Sequence, residues 1–121
     1  MGIVDKIGSK KIYLDANIFI YALEGFPEFK SILTELFLAI DDHKVQAVTS
    51  DLTLAEVLVK PLKDGNLTLI ETYKQAIESG AGLSVTSVSR AILIEAATLR
   101  SQIKLKLPDG IHVATALQTG C

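Results

Sequence analysis

Apolar residues form two kinds of pattern along this chain, short uninterrupted runs and longer stretches with helical spacing. The run Ile12-Tyr13-Leu14 is typical of a buried strand and stops at Asp15. Residues 29–40 carry an apolar side chain at every third or fourth position, which makes this segment the clearest amphipathic helix in the sequence. Two more strands are predicted, at 45–49 and at 83–86, where apolar and polar residues alternate. Further helices are predicted at 18–23, 52–60, 67–78, 91–103 and 108–118.

Two prolines and the order of these elements set the expected topology. Pro61 should end the helix at 52–60, because the residue before a proline disfavours helical backbone angles. Pro108 should open the last helix, because proline suits the first helical turn. Strands alternate with helices throughout, which favours a parallel sheet. We therefore expect one α/β domain over residues 1–121. Three strands of its parallel sheet can be identified in the sequence, and helices should cover both faces of the sheet.

Composition narrows the class of protein. The chain has 121 residues, 49% of them hydrophobic and 21% charged, as in globular rather than disordered proteins. No apolar run approaches the roughly 20 residues needed to cross a bilayer. The only cysteine, Cys121, excludes a disulfide framework and a zinc–cysteine site within one chain, so we expect a cytoplasmic protein. The net charge of −2 argues against non-specific nucleic-acid binding through overall charge, but it permits a local basic strip.

Three acidic residues occupy positions where a parallel sheet binds ligands. Asp15 follows the first predicted strand, Glu56 lies in the apolar helix after the second, and Asp109 lies at the start of the last helix. Ligands of open parallel sheets bind beyond the carboxyl ends of the strands. Because long segments separate the three acids in sequence, only the fold could bring them together.

Each acid also has an explanation that involves no chemistry. Asp15 could cap the helix that follows it, by accepting a hydrogen bond from a free backbone N–H. Glu56 could lie on a solvated helix face and pair with Lys60 one turn later, for a few tenths of a kcal/mol. Asp109 could simply suit the positive end of the helix dipole, and His112 could be an ordinary polar residue of that helix.

The three acids together predict a cation site more strongly than any one of them does. Two carboxylates about 4 Å apart repel by on the order of 4 kcal/mol at an effective dielectric of 20. A fold would keep such a cluster if a cation occupies it. Oxygen-only ligands suit Mg²⁺ or Mn²⁺ rather than zinc, and such ions orient phosphates and activate water for attack on phosphorus.

Three sequence motifs resemble those of PIN-domain nucleases. The first is Tyr13-Leu14-Asp15-Ala16-Asn17-Ile18-Phe19-Ile20-Tyr21, and the second is Thr49-Ser50-Asp51-Leu52-Thr53-Leu54-Ala55-Glu56-Val57. The third is Leu107-Pro108-Asp109-Gly110-Ile111-His112-Val113-Ala114-Thr115-Ala116. The motifs follow one another in order over nearly the whole chain. Within the family, the sequence looks most like the VapC-type toxins of bacterial toxin–antitoxin pairs.

This resemblance implies an Mg²⁺- or Mn²⁺-dependent ribonuclease. Asp15, Glu56 and Asp109 would be metal ligands or would orient the attacking water, and Asn17 and Ser50 would be supporting polar residues. A small antitoxin protein would occupy the cleft and a neighbouring groove, which the helix at 29–40 could help to form. Basic residues that could contact RNA phosphates are Lys60, Lys63, Arg90, Lys104 and Lys106.

The sequence departs from the family pattern after the third motif. Family members continue into a fourth strand and a fourth acid, whereas this sequence stops at Thr119-Gly120-Cys121. We therefore expect a C-terminally shortened site without the fourth acid, and a first strand whose open edge favours a homo-oligomer. The alternative function is a catalytically inactive remnant that binds a protein partner or itself. A third possibility is a phosphatase with an aspartate nucleophile. Its chemistry needs a second aspartate two residues later as the acid or base, and this sequence has Asn17 there.

Overall fold

Three parallel strands form the sheet of the computed structural model, which describes Ile7 and residues 10–121. The strands are β1 (Lys11–Tyr13), β2 (Gln46–Ser50) and β3 (Leu83–Thr86), in the spatial order β1-β2-β3. Six α-helices accompany them in this part of the chain: α1 (Ala16–Leu23), α2 (Lys30–Asp41), α3 (Asp51–Asp64), α4 (Leu67–Ala76), α5 (Arg90–Gln102) and α6 (Leu107–Gln118). A short 3₁₀ helix, Pro27–Phe29, precedes α2. The predicted α/β class and parallel sheet are confirmed.

The strand register brings the carboxyl ends of β1 and β2 to the same edge of the sheet. Tyr13 pairs with Val48, and the Leu14 backbone N–H donates to the Val48 carbonyl at 2.8 Å, one residue beyond β1. The chain then leaves the sheet at Asp15, while β2 ends at Ser50. Residues that follow these two strands therefore share one end of the sheet.

Helices cover both faces of the central strand. Ala47 and Val48 are 2% and 3% exposed, and successive strand residues point to opposite faces, so both faces of β2 are buried. One hydrophobic cluster joins β2 to α1, α2 and α4, where Phe19 and Tyr73 are fully buried. A second cluster lies between α5 and α6. The predicted covering of both faces is confirmed.

Pro61 does not end the third helix, so that prediction was wrong. The helix runs on to Asp64 with Pro61 buried inside it. Pro61 has no N–H to donate to the carbonyl four residues earlier, but the helix continues for three residues beyond it. The stop comes instead from Gly65, whose positive φ of 67° lets the Asn66 N–H donate to the Pro61 carbonyl at 2.9 Å.

Two close approaches fix the helices around the sheet. A Cβ on Gly110 would lie 3.2 Å from the Ala96 carbonyl oxygen, so α5 and α6 pack closely at this point. A Cβ on Gly82, whose φ is +75°, would overlap the Ile40 carbonyl oxygen at the end of α2. The contact at Gly110 holds the first turns of α6 in place, and these turns carry Asp109 and His112.

The strand β1 is an edge of the sheet, with β2 as its one partner among the described residues. Its Lys11 ammonium donates to the Thr119 carbonyl at 3.0 Å, which ties the edge to the C-terminal end of α6. Homo-oligomer formation through this edge stays a prediction. Within the described ranges, none of the helices combines the length and apolar character that crossing a bilayer requires.

Candidate active site

Asp15 occupies the junction between β1 and α1. Its backbone is extended, and its carboxylate accepts from the Ile18 N–H at 3.2 Å, so it caps α1 as the non-chemical explanation requires. The same side chain is exposed and lines a pocket at the carboxyl edge of the sheet. One residue therefore serves as a helix cap and as a wall of the pocket.

The pocket has a volume of about 300 Å³ and gathers all three predicted acids. Glu56 reaches it from α3 and Asp109 from the first turn of α6. The complete lining is Asp15, Ala16, Asn17, Glu56, Asp109, His112 and Val113. Residues that lie far apart in sequence thus meet at the end of the sheet where parallel-sheet ligands bind.

Glu56 pairs with His112 rather than with Lys60. Its Oε1 lies 2.6 Å from His112 Nε2, and the two side chains are 34% and 13% exposed, respectively. No ion pair joins Glu56 to Lys60 in the part of the chain that the structure describes. The solvated Glu56–Lys60 pair considered above is therefore wrong, and Glu56 is held by a neighbouring helix.

The other ring nitrogen of His112 contacts Tyr13. His112 Nδ1 lies 2.5 Å from the Tyr13 hydroxyl, and the two rings meet edge to face with centroids 5.6 Å apart. A carboxylate can only accept, so Nε2 must carry a proton that points to Glu56. In the neutral imidazole, Nδ1 then accepts from the Tyr13 hydroxyl. The line Tyr13–His112–Glu56 joins β1, α6 and α3.

The surroundings of Tyr13 keep its hydroxyl protonated. Burial raises the pKa of Tyr13 to about 12, although the neighbouring hydroxyls of Thr53 and Ser50 oppose this change. The carboxylates of Glu56 and Asp15 raise the pKa further, because their negative charges disfavour a tyrosinate. Tyr13 is therefore available as a hydrogen-bond donor over the whole physiological pH range.

The two supporting residues predicted from the sequence have different positions. Asn17 is exposed on α1 and lines the pocket beside Asp15. Ser50 is fully buried at the end of β2, where its hydroxyl accepts from the Leu52 N–H at 3.0 Å and caps α3. Ser50 therefore does not line the pocket, and it lies behind the site, near Tyr13.

The donor set agrees in kind with a hard divalent cation. Three carboxylates and the Asn17 amide offer oxygen ligands, which Mg²⁺ and Mn²⁺ prefer, while both ring nitrogens of His112 are already hydrogen-bonded. As the side chains stand, no three acidic or histidine residues among those described are close enough together to surround one ion. Three anions in a pocket without a cation repel one another. Rotation of the exposed Asp15 and Asp109 side chains would therefore have to complete the coordination.

Sequence reasoning overlooked Tyr13 and His112 as parts of the site. Both could have been found by spacing, because Tyr13 lies two residues before Asp15 and faces the same side of an extended chain. His112 lies three residues after Asp109, on the same face of α6. The spacing cannot predict the contact between His112 and Glu56, because this contact depends on how α6 packs beside α3.

Comparison with known proteins agrees with this geometry. A family model described as PIN domain matches residues 12–121. The chain belongs to the PIN-domain family. The resemblance carried by the three motifs is thereby confirmed, and no curated protein sequence matches this PIN domain.

Three solved structures are similar to this PIN domain over most of its length. A toxin–antitoxin complex from Klebsiella pneumoniae is 26% identical, with 92% of this chain and 80% of that chain covered and a TM-score of 0.65. VapC20 from Mycobacterium tuberculosis, a sarcin-ricin loop cleaving toxin, is 13% identical, with coverages of 90% and 83% and a TM-score of 0.71. VapBC2 from Rickettsia felis, bound to a DNA fragment from its promoter, is 18% identical, with coverages of 90% and 82% and a TM-score of 0.67. At their identities, the last two show a shared fold.

Proposed function

We propose that this PIN domain, acting as one unit over residues 1–121, is a metal-dependent ribonuclease and the toxin of a toxin–antitoxin pair in the cytoplasm. The observation that carries the proposal is the pocket in which Asp15, Glu56 and Asp109 meet. Family membership supports a nuclease. The neighbours described as a toxin–antitoxin complex and as a sarcin-ricin loop cleaving toxin support the role of a toxin ribonuclease.

Asp15 and Asp109 have a different role from Glu56, because the surroundings of their carboxylates differ. Asp15 and Asp109 are exposed at the pocket mouth and would hold the divalent cation, with the Asn17 amide beside Asp15. When bound, Mg²⁺ or Mn²⁺ neutralises the phosphate charge and orients the phosphodiester. Glu56 has one oxygen engaged by His112, which leaves the other free to orient the attacking water or to contribute to the cation site.

His112 and Tyr13 act as positioning residues for Glu56. The imidazole donates from Nε2 to Glu56 and accepts at Nδ1 from Tyr13, so the direction of the carboxylate depends on two hydrogen bonds rather than on solvent. Such partners of a ligating or water-orienting group change activity by about 10–100-fold when removed. The arrangement favours a fixed Glu56 over a mobile surface carboxylate.

An antitoxin partner fits a second cavity of the molecule. A groove of about 440 Å³ lies between α1, α2 and α4, and Phe19, Leu23 and Phe37 are among its apolar lining residues. The helix α2, expected from the sequence to help form such a groove, also exposes Ile32 and Leu38. The toxin–antitoxin complexes among the structural neighbours support a protein partner, and the apolar lining of the groove supports this surface as its place.

Incubation of the purified protein with labelled single-stranded and hairpin RNA, in Mn²⁺ and in EDTA, tests the proposal. We expect the wild type to cleave RNA in Mn²⁺ but not in EDTA. The variants Asp15→Asn, Glu56→Gln and Asp109→Asn should not cleave RNA in either condition. The variant Asp64→Asn, which changes an exposed acid at the end of α3, is the matched control and should cleave like the wild type. Cleavage that survives all three site substitutions would contradict the proposal, and absence of cleavage in the wild type would favour the inactive, protein-binding alternative.

A further inference from the structure

A basic cleft lies next to the pocket of Asp15, Glu56 and Asp109, which we call the carboxylate pocket. It measures about 510 Å³ and is lined by Arg100, Lys104, Leu105, Lys106 and Asp109. Three cations surround one carboxylate here, in a chain whose net charge is −2. The cleft is therefore a local basic site on a slightly acidic protein.

Local structure concentrates these cations. Arg100 lies in the last turn of α5, and Lys106 precedes the first residue of α6 with an extended backbone. Residues 96–108, which include the connection between the two helices, contain the three cations and no acid. In the part of the chain that the structure describes, none of the three forms an ion pair. Their charges are thus not neutralised within the chain.

Asp109 belongs to both cavities. It lines the carboxylate pocket together with Asp15 and Glu56, and it lines the basic cleft together with Lys104 and Lys106. A polyanion leaving the pocket past Asp109 therefore meets the cations directly. Without a divalent ion, the pocket repels phosphate, so the attraction between the protein and a nucleic acid must come from elsewhere on the surface.

We propose that the cleft of Arg100, Lys104 and Lys106 binds a backbone phosphate of single-stranded nucleic acid, next to the phosphodiester held in the carboxylate pocket. This inference rests on the proposed nuclease function. Phosphate contacts position a nucleic acid without reading its bases, so the cleft sets the register of the strand across the pocket. Lys104 and Lys106 were expected from the sequence to contact phosphate, whereas Arg100 is added by the fold. Lys60, Lys63 and Arg90 do not line this cleft.

Salt-dependent binding tests the cleft apart from catalysis. The probe is a short fluorescent single-stranded oligonucleotide, as RNA and as DNA, and its anisotropy is measured in EDTA between about 50 and 200 mM salt. The test variant combines Arg100→Gln, Lys104→Gln and Lys106→Gln. The control combines Lys30→Gln, Lys44→Gln and Lys74→Gln, which removes the same net charge from exposed positions outside the cleft.

We expect the slope of log affinity against log salt to become shallower by about 0.7 in the test variant, since the cleft binds one phosphate and each single-strand phosphate contact contributes about 0.7. The control should keep the wild-type slope, and RNA and DNA should respond alike. Asp109→Asn should bind more tightly than the wild type in EDTA, because one repelling charge is gone. Equal slopes for the test and control variants would overturn the proposed cleft.

The outcomes of this experiment and of the cleavage assay are separable. If the wild type cleaves RNA while the two triple variants have equal salt slopes and equal KM, the nuclease stands and the cleft is wrong. If only the test variant has a shallower slope but the wild type does not cleave RNA, the cleft stands and the nuclease is wrong. A rise of KM at nearly constant kcat in the test variant would support both.

Discussion

His112 Nε2 lies 2.6 Å from Glu56 Oε1, and this contact joins α6 to α3 across the mouth of the carboxylate pocket. The histidine is mostly buried, while the glutamate is one-third exposed. The better-fixed partner is therefore the imidazole, which Tyr13 holds from the other side. The direction of the Glu56 carboxylate depends on a residue that carries no catalytic signature of its own.

Replacing His112 tests this dependence. His112→Ala should lower kcat for RNA cleavage by about 10–100-fold with little change in KM, because the cation and phosphate contacts remain. His112→Gln should recover part of the loss, since the glutamine amide nitrogen can occupy the place of Nε2 and donate to Glu56. The measurement is the steady-state cleavage rate as a function of RNA concentration at saturating Mn²⁺. Equal losses for alanine and glutamine would mean that the imidazole does not act by orienting Glu56.

Two substitutions of Asp15 separate its two roles. Asp15→Asn keeps an N-cap, because asparagine caps helices as well as aspartate, and it also removes one repelling charge, so in EDTA its unfolding free energy should equal that of the wild type or exceed it by up to about 1 kcal/mol. Asp15→Ala removes the same charge and also the bond to the Ile18 N–H, so it should be about 1 kcal/mol less stable than Asp15→Asn. Both should abolish cleavage. Urea denaturation measures the stabilities, and an Asn variant as unstable as the Ala variant would contradict the division of roles.

Repulsion within the pocket predicts a stabilising substitution. Asp109→Asn removes one of three carboxylates, so it should raise the melting temperature in EDTA by a few degrees, as a gain of about 0.5–1 kcal/mol would. It should also remove the stabilisation that Mg²⁺ gives the wild type. Thermal unfolding followed by circular dichroism is sufficient. A lower melting temperature in EDTA would show that Asp109 serves mainly the first turn of α6.

The protein should lose stability at high pH because of Tyr73, which is buried in the core. Burial and the bond from its hydroxyl to Glu24 raise the pKa of Tyr73 well above its ordinary value near 10. The folded state therefore keeps this proton more tightly than the unfolded state. The resulting stability is complete below about pH 10 and falls by up to about 1.4 kcal/mol per pH unit above it.

Tyr73→Phe removes this ionisation and checks its sign. The wild type should be more stable than Tyr73→Phe at pH 8, and the difference should shrink between pH 10 and pH 11. Urea denaturation at several pH values measures it. A difference that stays constant, or that grows with pH, would contradict a raised pKa for Tyr73.

The strands and the outline of the site follow from the sequence because they depend on local patterns. The run Ile12-Tyr13-Leu14 and the segment 83–86 form strands at the predicted positions, to within a residue. Asp15, Glu56 and Asp109 were expected together because they follow strands or open a helix at one edge of the sheet. Such positions are set by the chain's own periodicity and by the parallel topology.

The parts that the sequence did not predict depend on contacts between distant segments. Pro61 remains inside α3 because Gly65, four residues later, supplies the stop through its left-handed backbone. The partner of Glu56 is His112 rather than Lys60, because α6 packs beside α3. Arg100 joins the basic cleft only through the turn between α5 and α6. None of these relationships is visible in the spacing along one element.

The most direct measurement is anomalous diffraction from crystals soaked in Mn²⁺. We expect one strong peak in the pocket, about 2.1 Å from carboxylate oxygens of Asp15 and Asp109, with Glu56 bound directly or through one water. The side chains of Asp15 and Asp109 should have rotated towards the ion. A peak elsewhere on the protein, or an empty pocket in protein that still cleaves RNA in Mn²⁺, would contradict a cation held by these acids.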